Sequence, residues 1–395
     1  MLRYLTLSKV KLIIFNMRVT LIIASMGAGG AERVLAILAN AWVAQQWQVT
    51  LLTLDSGDSP PFYDLDPQIQ RRSLATSGPS VTLWQAIGQN CHRLWTLRRA
   101  IADSRPDVVI SFIDQVNILT LIATRFLAIP VIVTERTDPN CHVIGKTWEL
   151  LRRCTYPWAD QIVVQSLTVK QYFPPRLQSR IRVIPNPVLA PRIDAGSGKF
   201  HRDAPSGRSL IAMGRLGPEK GYDLLLQAFA QVCDRHPEWT LKILGEGSLR
   251  GDLEALGDRL GIGEQVHFLG LVKQPYGWLQ QADVFVMASR YEGFPNALCE
   301  AMACGLAVIA TDCPSGPRAI IRPGVDGILV PSEDVEALAA AMHHLMSDPI
   351  ARQKLSALAP EVLTRFSLKT VLGLWESAIA SVISGAGLNS KQSNP

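Results

Sequence analysis

One alternation, run twice and broken once, constrains this chain more than any other feature. Short apolar runs recur, and between them lie longer segments whose apolar residues fall at helical spacing. That pattern is the signature of parallel α/β layering, in which a strand buried on both faces reads as a continuous apolar run. In the first half the spacing predicts strands at 18–25, 48–54, 107–112, 130–134, 161–165 and 181–184. The stretch 30–46 reads as a helix, with Val34, Leu35, Ile37, Leu38, Ala41 and Trp42 on one face. Residues 185–208 then turn rich in Pro, Gly, Ser and charge, the texture of a linker. After them the alternation restarts: strands at 209–213, 240–244, 266–269, 283–287 and 307–311, and helices at 220–235, 248–260 and 296–304. Helices follow, and from 385 the sequence is polar. A length of 395 residues suits two ordinary domains, each with its own core. The expectation is two doubly wound domains facing a cleft, at 17–190 and 209–362, joined by 191–208. A helix at 363–384 returns to the first domain, and a disordered tail occupies 385–395.

The net charge of +5 is unevenly spread. Residues 1–190 hold 20 Lys and Arg against 12 Asp and Glu, whereas residues 191–395 hold 19 against 22. The first half is therefore suited to an anionic partner. No nucleic-acid module accompanies it. Two segments mix Arg with Trp and Leu, Cys91 to Arg99 and Trp148 to Trp158, as an interfacial surface on anionic lipid does. A solvated helix face is the plainer account of both. No apolar run is long enough to span a bilayer. Near the start, Arg3, Lys9 and Lys11 precede Leu12–Phe15, too short an apolar core for a secretory leader. Either Met17 is the true start, with a strand beginning at once at Arg18, or this segment touches a membrane. Seven cysteines without a CxxC pair make neither a disulfide framework nor a zinc site.

The chemistry gathers where strands end. Residues 289–305, SRYEGFPNALCEAMACG, form a polar Gly/Pro turn feeding a helix near Asn296. Ligands of parallel sheets collect at such turns, and a helix N-terminus offers backbone N–H groups to phosphate. Glu292 and Glu300 are eight positions apart, and carboxylates accept hydrogen bonds from vicinal sugar hydroxyls. At 213–221, MGRLGPEKG brings Arg215 and Lys220 to a Gly-rich strand end, which fits neutralisation of a diphosphate. Gly245-Glu246-Gly247 ends the next strand, and Val266 to Gly270 forms a short strand and tight turn that could flank a base. Asp64-Leu65-Asp66 is a D-x-D in a Pro-flanked loop without a second ligand set, so no metal site is expected. Residues 27–29 with Asp55 only weakly mimic a dinucleotide fingerprint, since Glu32 stands where the third glycine belongs.

Taken together these motifs resemble the retaining glycosyltransferases of family 4, of GT-B architecture. The residues that carry the likeness are GAGGAERV at 27–34, Pro185-Asn186-Pro187-Val188, Gly214-Arg215 with Lys220-Gly221, Gly245-Glu246-Gly247, Phe268-Leu269-Gly270 and, most specifically, the E-x7-E pair Glu292 and Glu300 continued to Gly305. Glu135-Arg136-Thr137-Asp138-Pro139 and residues 312–317, DCPSGP, resemble the branch that extends bacterial lipid-linked oligosaccharides, capsules and O-antigens.

The resemblance implies transfer of a hexose or N-acetylhexosamine from a nucleotide sugar, a UDP-sugar, to a polyprenyl-diphosphate-linked saccharide, with retention and without metal or cofactor. It implies that Arg215 and Lys220 hold the diphosphate and stabilise the leaving group, that Glu292 contacts the sugar, and that Glu300 binds the ribose. Gly29, Gly30, Gly214, Gly245, Gly247, Phe268, Leu269, Gly293, Phe294, Pro295, Asn296, Ala297 and Leu298 complete the donor set. Glu135, Arg136 and Asp114 are the acceptor-side candidates; many relatives carry a His where this chain has Glu135 and Arg136. The implied location is cytoplasmic, peripheral on the inner face of the plasma membrane, through the basic domain. A nucleotide-sugar epimerase on the same fold and a non-catalytic nucleotide-sugar-binding relative are the alternatives.

Overall fold

The computed structural model describes residues 16–76, 83–191 and 208–391, with side chains omitted at 83–88 and 386–391. The leader-like residues 1–15, most of the 191–208 linker and residues 392–395 of the tail lie outside them. The chain divides into two compact units, Met1–Pro185 with Lys369–Pro395, and Asn186–Leu368.

Unit 1 carries β1 (Arg18–Ile23), β2 (Gln48–Thr53), β3 (Gln70–Ser73), β4 (Val108–Phe112), β5 (Val131–Thr134), β6 (Gln161–Val164) and β7 (Ile181–Val183). They form one sheet in the order β3-β2-β1-β4-β5-β6-β7. Every pairing is parallel, with Val19 opposite both Val49 and Val108. β1 and β4 are solvent-free along most of their length, as a strand covered by helices on both faces must be. β3 (QRRS) escapes the apolar pattern because it is an edge strand, exposed on alternate residues.

The helix Leu368–Lys391 belongs to unit 1. Its Trp375 meets Trp42 edge-on at 6.0 Å, and Trp42 stacks on Trp47 at 5.3 Å. Gln45 Nε2 donates to Glu376 Oε1 at 3.0 Å, and Arg182 to Ser377 Oγ at 2.9 Å. The backbone stays helical to Lys391, past 385 where the sequence reads as a polar tail. Each further residue of an existing helix adds a hydrogen bond without a new nucleus.

Unit 2 carries β8 (Arg208–Met213), β9 (Trp239–Leu244), β10 (Val266–Gly270), β11 (Val284–Met287), β12 (Ala307–Asp312) and β13 (Ile328–Pro331) in the order β10-β9-β8-β11-β12-β13. Its pairings are also all parallel. One core packs the helices Tyr222–Ala230 and Val335–Ser347 on the sheet through Leu226, Phe229 and Met342. Another packs the helix Asn296–Ala303 through Leu298 and Met302.

Both sheets reverse direction beside their first strand. From β1 the chain builds outward to β3, then returns to β4; from β8 it builds to β10, then returns to β11. A reversal of strand order opens a crevice at the carboxyl ends of the two central strands, where ligands of such sheets bind.

Candidate active site

In unit 2 the reversal point lies between β8 and β11; the motif with Arg215 and Lys220 follows β8, and the motif with Glu292 and Glu300 follows β11. After β8 the chain makes a turn with a 3-10 segment, Pro218–Lys220, before the helix Tyr222–Ala230. After β11 it runs through 288–295 into the helix Asn296–Ala303. Lys220 Nζ meets Glu292 Oε1 at 2.6 Å, joining the two turns across 72 positions of sequence. Glu292 is 9% exposed and also accepts from Ser289 Oγ at 2.7 Å. Its backbone carbonyl accepts from Ser315 Oγ, which brings the loop after β12 to the same place. Thr311 Oγ1 in β12 holds the Ser289 carbonyl at 2.6 Å. These hydroxyls are buried, so the carboxylate sits in a fixed polar cradle.

Arg215 stands apart. Its side chain is 74% exposed and pairs with Glu219, with Nη2 and Nε at 2.6 and 3.1 Å from Oε1. Of the two cations and two carboxylates singled out by the motifs, Lys220 and Glu292 touch, and Arg215 turns to Glu219 in its own turn. Glu300 is buried at 5% exposure, about one turn into its helix. Phe294 and Leu298, named for the donor, lie in the core: Leu298 is fully buried, and Phe294 packs edge-on against Phe366 at 5.4 Å. What they can offer a ligand is backbone.

The glycines are used for approach. At Gly245, with φ +148°, a Cβ would fall 1.9 Å from the Gly214 carbonyl oxygen; at Gly247 one would fall 2.4 Å from that of Leu216. Backbone bonds knit these loops: Gly214 N to Leu244 O at 2.9 Å, Leu216 N to Glu246 O at 2.9 Å and Gly245 N to Gly270 O at 2.8 Å. Phe268 and Leu269 are half-buried beside them. Cys313 is pushed up to about 12 by burial, with the Glu292 charge adding, so it is a poor nucleophile.

Sequence reasoning overlooked Arg290. It forks onto Asp223 at 2.9 and 2.7 Å, donates to the Pro218 carbonyl at 2.8 Å and reaches Glu333 at 3.1 Å. Its own N–H donates to Glu219 O at 2.8 Å. Arg290 thereby fastens the turn that bears Lys220 to the loop that bears Glu292. Its only sequence signal is a position two residues before Glu292. Asn186 belongs to the Pro185-Asn186-Pro187-Val188 motif; its Nδ2 donates to Asn296 Oδ1 at 2.7 Å, tying that motif to the start of the helix.

In unit 1 the reversal point lies between β1 and β4. Residues 27–30 follow β1, and Gly29 caps the helix Gly30–Ala44. After β4, Ile113 holds φ +76° just before Asp114. A β-branched residue pays for that conformation, and such strain clusters at functional sites. Asp114 is 5% exposed and lies 3.5 Å from His142 Nε2. Glu135 follows β5, 3% exposed, accepting from the Tyr156 hydroxyl with Arg152 Nη1 3.8 Å away. Asn117 Nδ2 donates to that hydroxyl at 3.1 Å. Burial raises Glu135 to about 7, although Arg152 and Tyr156 pull the other way. Arg136 lies over the Phe112 ring at 4.6 Å, and burial lowers it to about 9. Asp114 and Glu135 thus sit at neighbouring strand ends.

The D-x-D is a turn. Asn40 accepts from Asp66 N at 2.8 Å and donates to Asp64 O at 2.9 Å, and Asp66 Oδ1 accepts from Gln68 N. Of the two Arg/Trp segments, the second is corrected in part. Arg152 is only 3% exposed and Trp148 packs on the core, leaving Leu150, Arg153 and Trp158 at the surface. In the first, Trp95 is 58% exposed under Arg99, 5.5 Å from its ring. No helix among the described residues is long and apolar enough to cross a membrane.

The chain matches the family Glycosyl transferases group 1 over residues 200–362 and Glycosyltransferase Family 4 over residues 28–189. It is 30% identical over 367 residues, 93% of its length and 99% of the relative's, to the GalNAc-alpha-(1->4)-GalNAc-alpha-(1->3)-diNAcBac-PP-undecaprenol alpha-1,4-N-acetyl-D-galactosaminyltransferase of Campylobacter jejuni. A second protein of that organism, N-acetylgalactosamine-N,N'-diacetylbacillosaminyl-diphospho-undecaprenol 4-alpha-N-acetylgalactosaminyltransferase, is 26% identical, covering 89% of this chain and 98% of its own. Anabaena HepE in complex with UDP superposes with a TM-score of 0.75 at 18% identity, over 92% of this chain and 100% of the other. That likeness speaks to the fold, the GT-B pairing of two Rossmann-like domains. Matched in both halves and along nearly its whole length, the chain belongs to glycosyltransferase family 4 and is a glycosyltransferase.

Proposed function

We propose that this enzyme moves a hexose or N-acetylhexosamine from a UDP-sugar to a saccharide carried on a polyprenyl diphosphate, with retention at the anomeric carbon. The contact between Lys220 and Glu292 at the reversal point of unit 2 carries the donor half of the reading. Charge builds on the departing diphosphate as the glycosidic bond breaks, and a cation held in place beforehand lowers that barrier. Lys220 supplies it, and exposed Arg215 is free to swing onto the same phosphates from Glu219. The start of the helix Asn296–Ala303 adds backbone N–H groups. Glu292, released from Lys220 by the phosphates, accepts from the sugar hydroxyls. Glu300 serves the ribose. With Cys313 protonated, attack on the leaving-group face with the donor phosphate taking the acceptor's proton is the route we favour.

The acceptor half is supported by the two Campylobacter relatives, whose names specify undecaprenyl-linked saccharides. Asp114, Glu135 and Arg136 at the strand ends of unit 1 are the groups to meet it. No metal or cofactor enters the proposal. Exposed Trp95, Arg99, Arg125, Phe126 and Trp158 give unit 1 a basic aromatic surface suited to the inner face of the plasma membrane. The deciding experiment offers UDP-, GDP- and ADP-sugars with lipid-linked acceptors, in the presence of a chelator. Released nucleotide and the anomeric configuration of the product are read. Release of UDP only in the presence of the acceptor, with an α-linked product from an α-donor, is expected. UDP-sugar isomerised without acceptor, or an inverted linkage, overturns the reading.

A further inference from the structure

Between the helix Lys146–Thr155 and the short helices Leu167–Tyr172 and Pro175–Gln178 lies a pocket of about 340 Å³, within unit 1 alone. Its volume falls in the range of small-ligand sites, about 300–1,000 Å³. Three of its lining residues are arginines: Arg152, Arg153 and Arg176. Tyr172, Phe173 and Leu177 give it an apolar floor, with Phe173 and Leu177 nearly solvent-free. Such a lining, cationic and apolar together, suits an amphiphile and not a sugar.

Arg152 makes this a built site. It is 3% exposed; its Nη2 donates to Glu149 and to Tyr172 Oη, the latter at 2.6 Å, and its Nη1 lies 3.8 Å from Glu135. Its Nε–H has no hydrogen-bond acceptor among the described residues. A buried guanidinium N–H left unused costs free energy that a ligand oxygen would recover. Arg176 is exposed and forms no ion pair among the described residues. Arg153 shares Glu149 with Arg152 at 3.2 Å, so one carboxylate at the pocket wall serves two guanidiniums. The local balance is cationic. Guanidinium forks are matched to phosphate oxygens, which accept them two at a time. The wall also reaches the acceptor-side cluster, since pocket-lining Tyr156 donates to Glu135.

We infer that this pocket receives a phosphate or diphosphate group bearing an apolar chain, with Arg152, Arg153 and Arg176 on the phosphate and Tyr172, Phe173 and Leu177 on the first carbons of the chain. This rests on the lipid-linked acceptor proposed above and assigns residues to its anionic headgroup. A free soluble phosphate would satisfy the arginines alone, and the chain is what separates the two sources.

The test titrates the full chain with farnesyl diphosphate and, separately, with inorganic diphosphate, by calorimetry. Farnesyl diphosphate is expected to bind at least ten-fold tighter. The double variant Arg153→Gln, Arg176→Gln removes two exposed cations and leaves the buried network around Arg152 in place. It is expected to weaken farnesyl diphosphate at least ten-fold while UDP binding on the same sample stays unchanged. Equal affinity for the two diphosphates, or undiminished farnesyl diphosphate binding in the double variant, overturns the assignment. If the binding results hold and no sugar reaches any lipid-linked acceptor, the pocket stands and the proposed reaction falls. If transfer proceeds in the double variant with an unchanged acceptor KM, the pocket falls and the reaction stands.

Discussion

Lys220 Nζ lies 2.6 Å from Glu292 Oε1, in a contact that bridges the turn after β8 and the loop after β11. Without ligand the two charges satisfy each other, and a diphosphate competes for the lysine. The site is thereby charged before the donor arrives without leaving either group unpaired. Lys220→Ala is expected to lower kcat/KM by about 10²–10³-fold, the loss typical of removing one group aimed at developing charge. Lys220→Arg should recover part of it. Released nucleotide measures this. Near-normal turnover in the Lys220→Ala, Arg215→Ala double variant would sink the leaving-group role of both.

Arg290 acts through the turn it holds. Its fork onto Asp223 and its bond to the Pro218 carbonyl fix the segment that carries Lys220. Arg290→Ala is expected to raise the donor KM about ten-fold and to destabilise unit 2 by about 1–3 kcal/mol, the worth of hydrogen bonds to charged groups. Arg290→Lys should restore stability better than KM, because an ammonium cannot fork. The Arg290 guanidinium holds the Asp223 carboxyl below its ordinary 3.8. That stabilisation is complete above the unfolded value and lost as pH falls through the lower folded one. The gap in unfolding midpoint between wild type and Arg290→Ala should therefore be widest near neutrality and narrow below about pH 4. A constant gap across pH would deny the pair any role.

The two-domain parallel architecture was legible because buried parallel strands read as apolar runs, and β1, β4, β11 and β12 lie within two residues of their predicted ends. β3 was not, because an edge strand of sequence QRRS has no apolar face to announce it. The site was legible as a set of strand-end motifs and not as geometry. That Lys220 would choose Glu292 depends on how the sheet order juxtaposes two turns, whereas Arg215 pairs inside its own turn with Glu219, four residues away. Arg152 reads as a surface cation beside Trp148. It turns inward because Glu135, at the end of a distant strand, lies there.

Gly245 is held by backbone, so its replacement has nowhere to go. A Cβ at 1.9 Å from the Gly214 carbonyl oxygen, on a residue with φ +148°, requires the loops after β8 and β9 to separate. Gly245→Ala is expected to destabilise unit 2 by about 1–3 kcal/mol from overpacking, with backbone strain adding to it. UDP binding should weaken with it, since the same loops place Lys220. Gly251 is the control: in the helix Arg250–Arg259 a Cβ there meets nothing within 4 Å. Gly251→Ala should stabilise by up to about 1 kcal/mol through helix propensity alone. Equal effects of the two substitutions on the unfolding midpoint would show that the contact with Gly214 is immaterial.

Glu135 gives a pH dependence of opposite sign to Asp223. Burial raises it to about 7, above the ordinary 4.5, despite Arg152 and the Tyr156 hydroxyl, and Asp114 and Glu149 push it further up. Between those two values the folded state holds a proton that the unfolded state has released. Stability therefore falls as pH rises through this window, and below it the effect is absent. Glu135→Gln removes the titration while keeping a group that can accept from Tyr156. Its unfolding midpoint relative to wild type should rise from pH 5 to pH 8, and the same change should flatten any limb near pH 7 in the acceptor KM. A midpoint difference that is constant between pH 5 and pH 8 would place the Glu135 proton outside this range and remove it from the acceptor chemistry near neutrality.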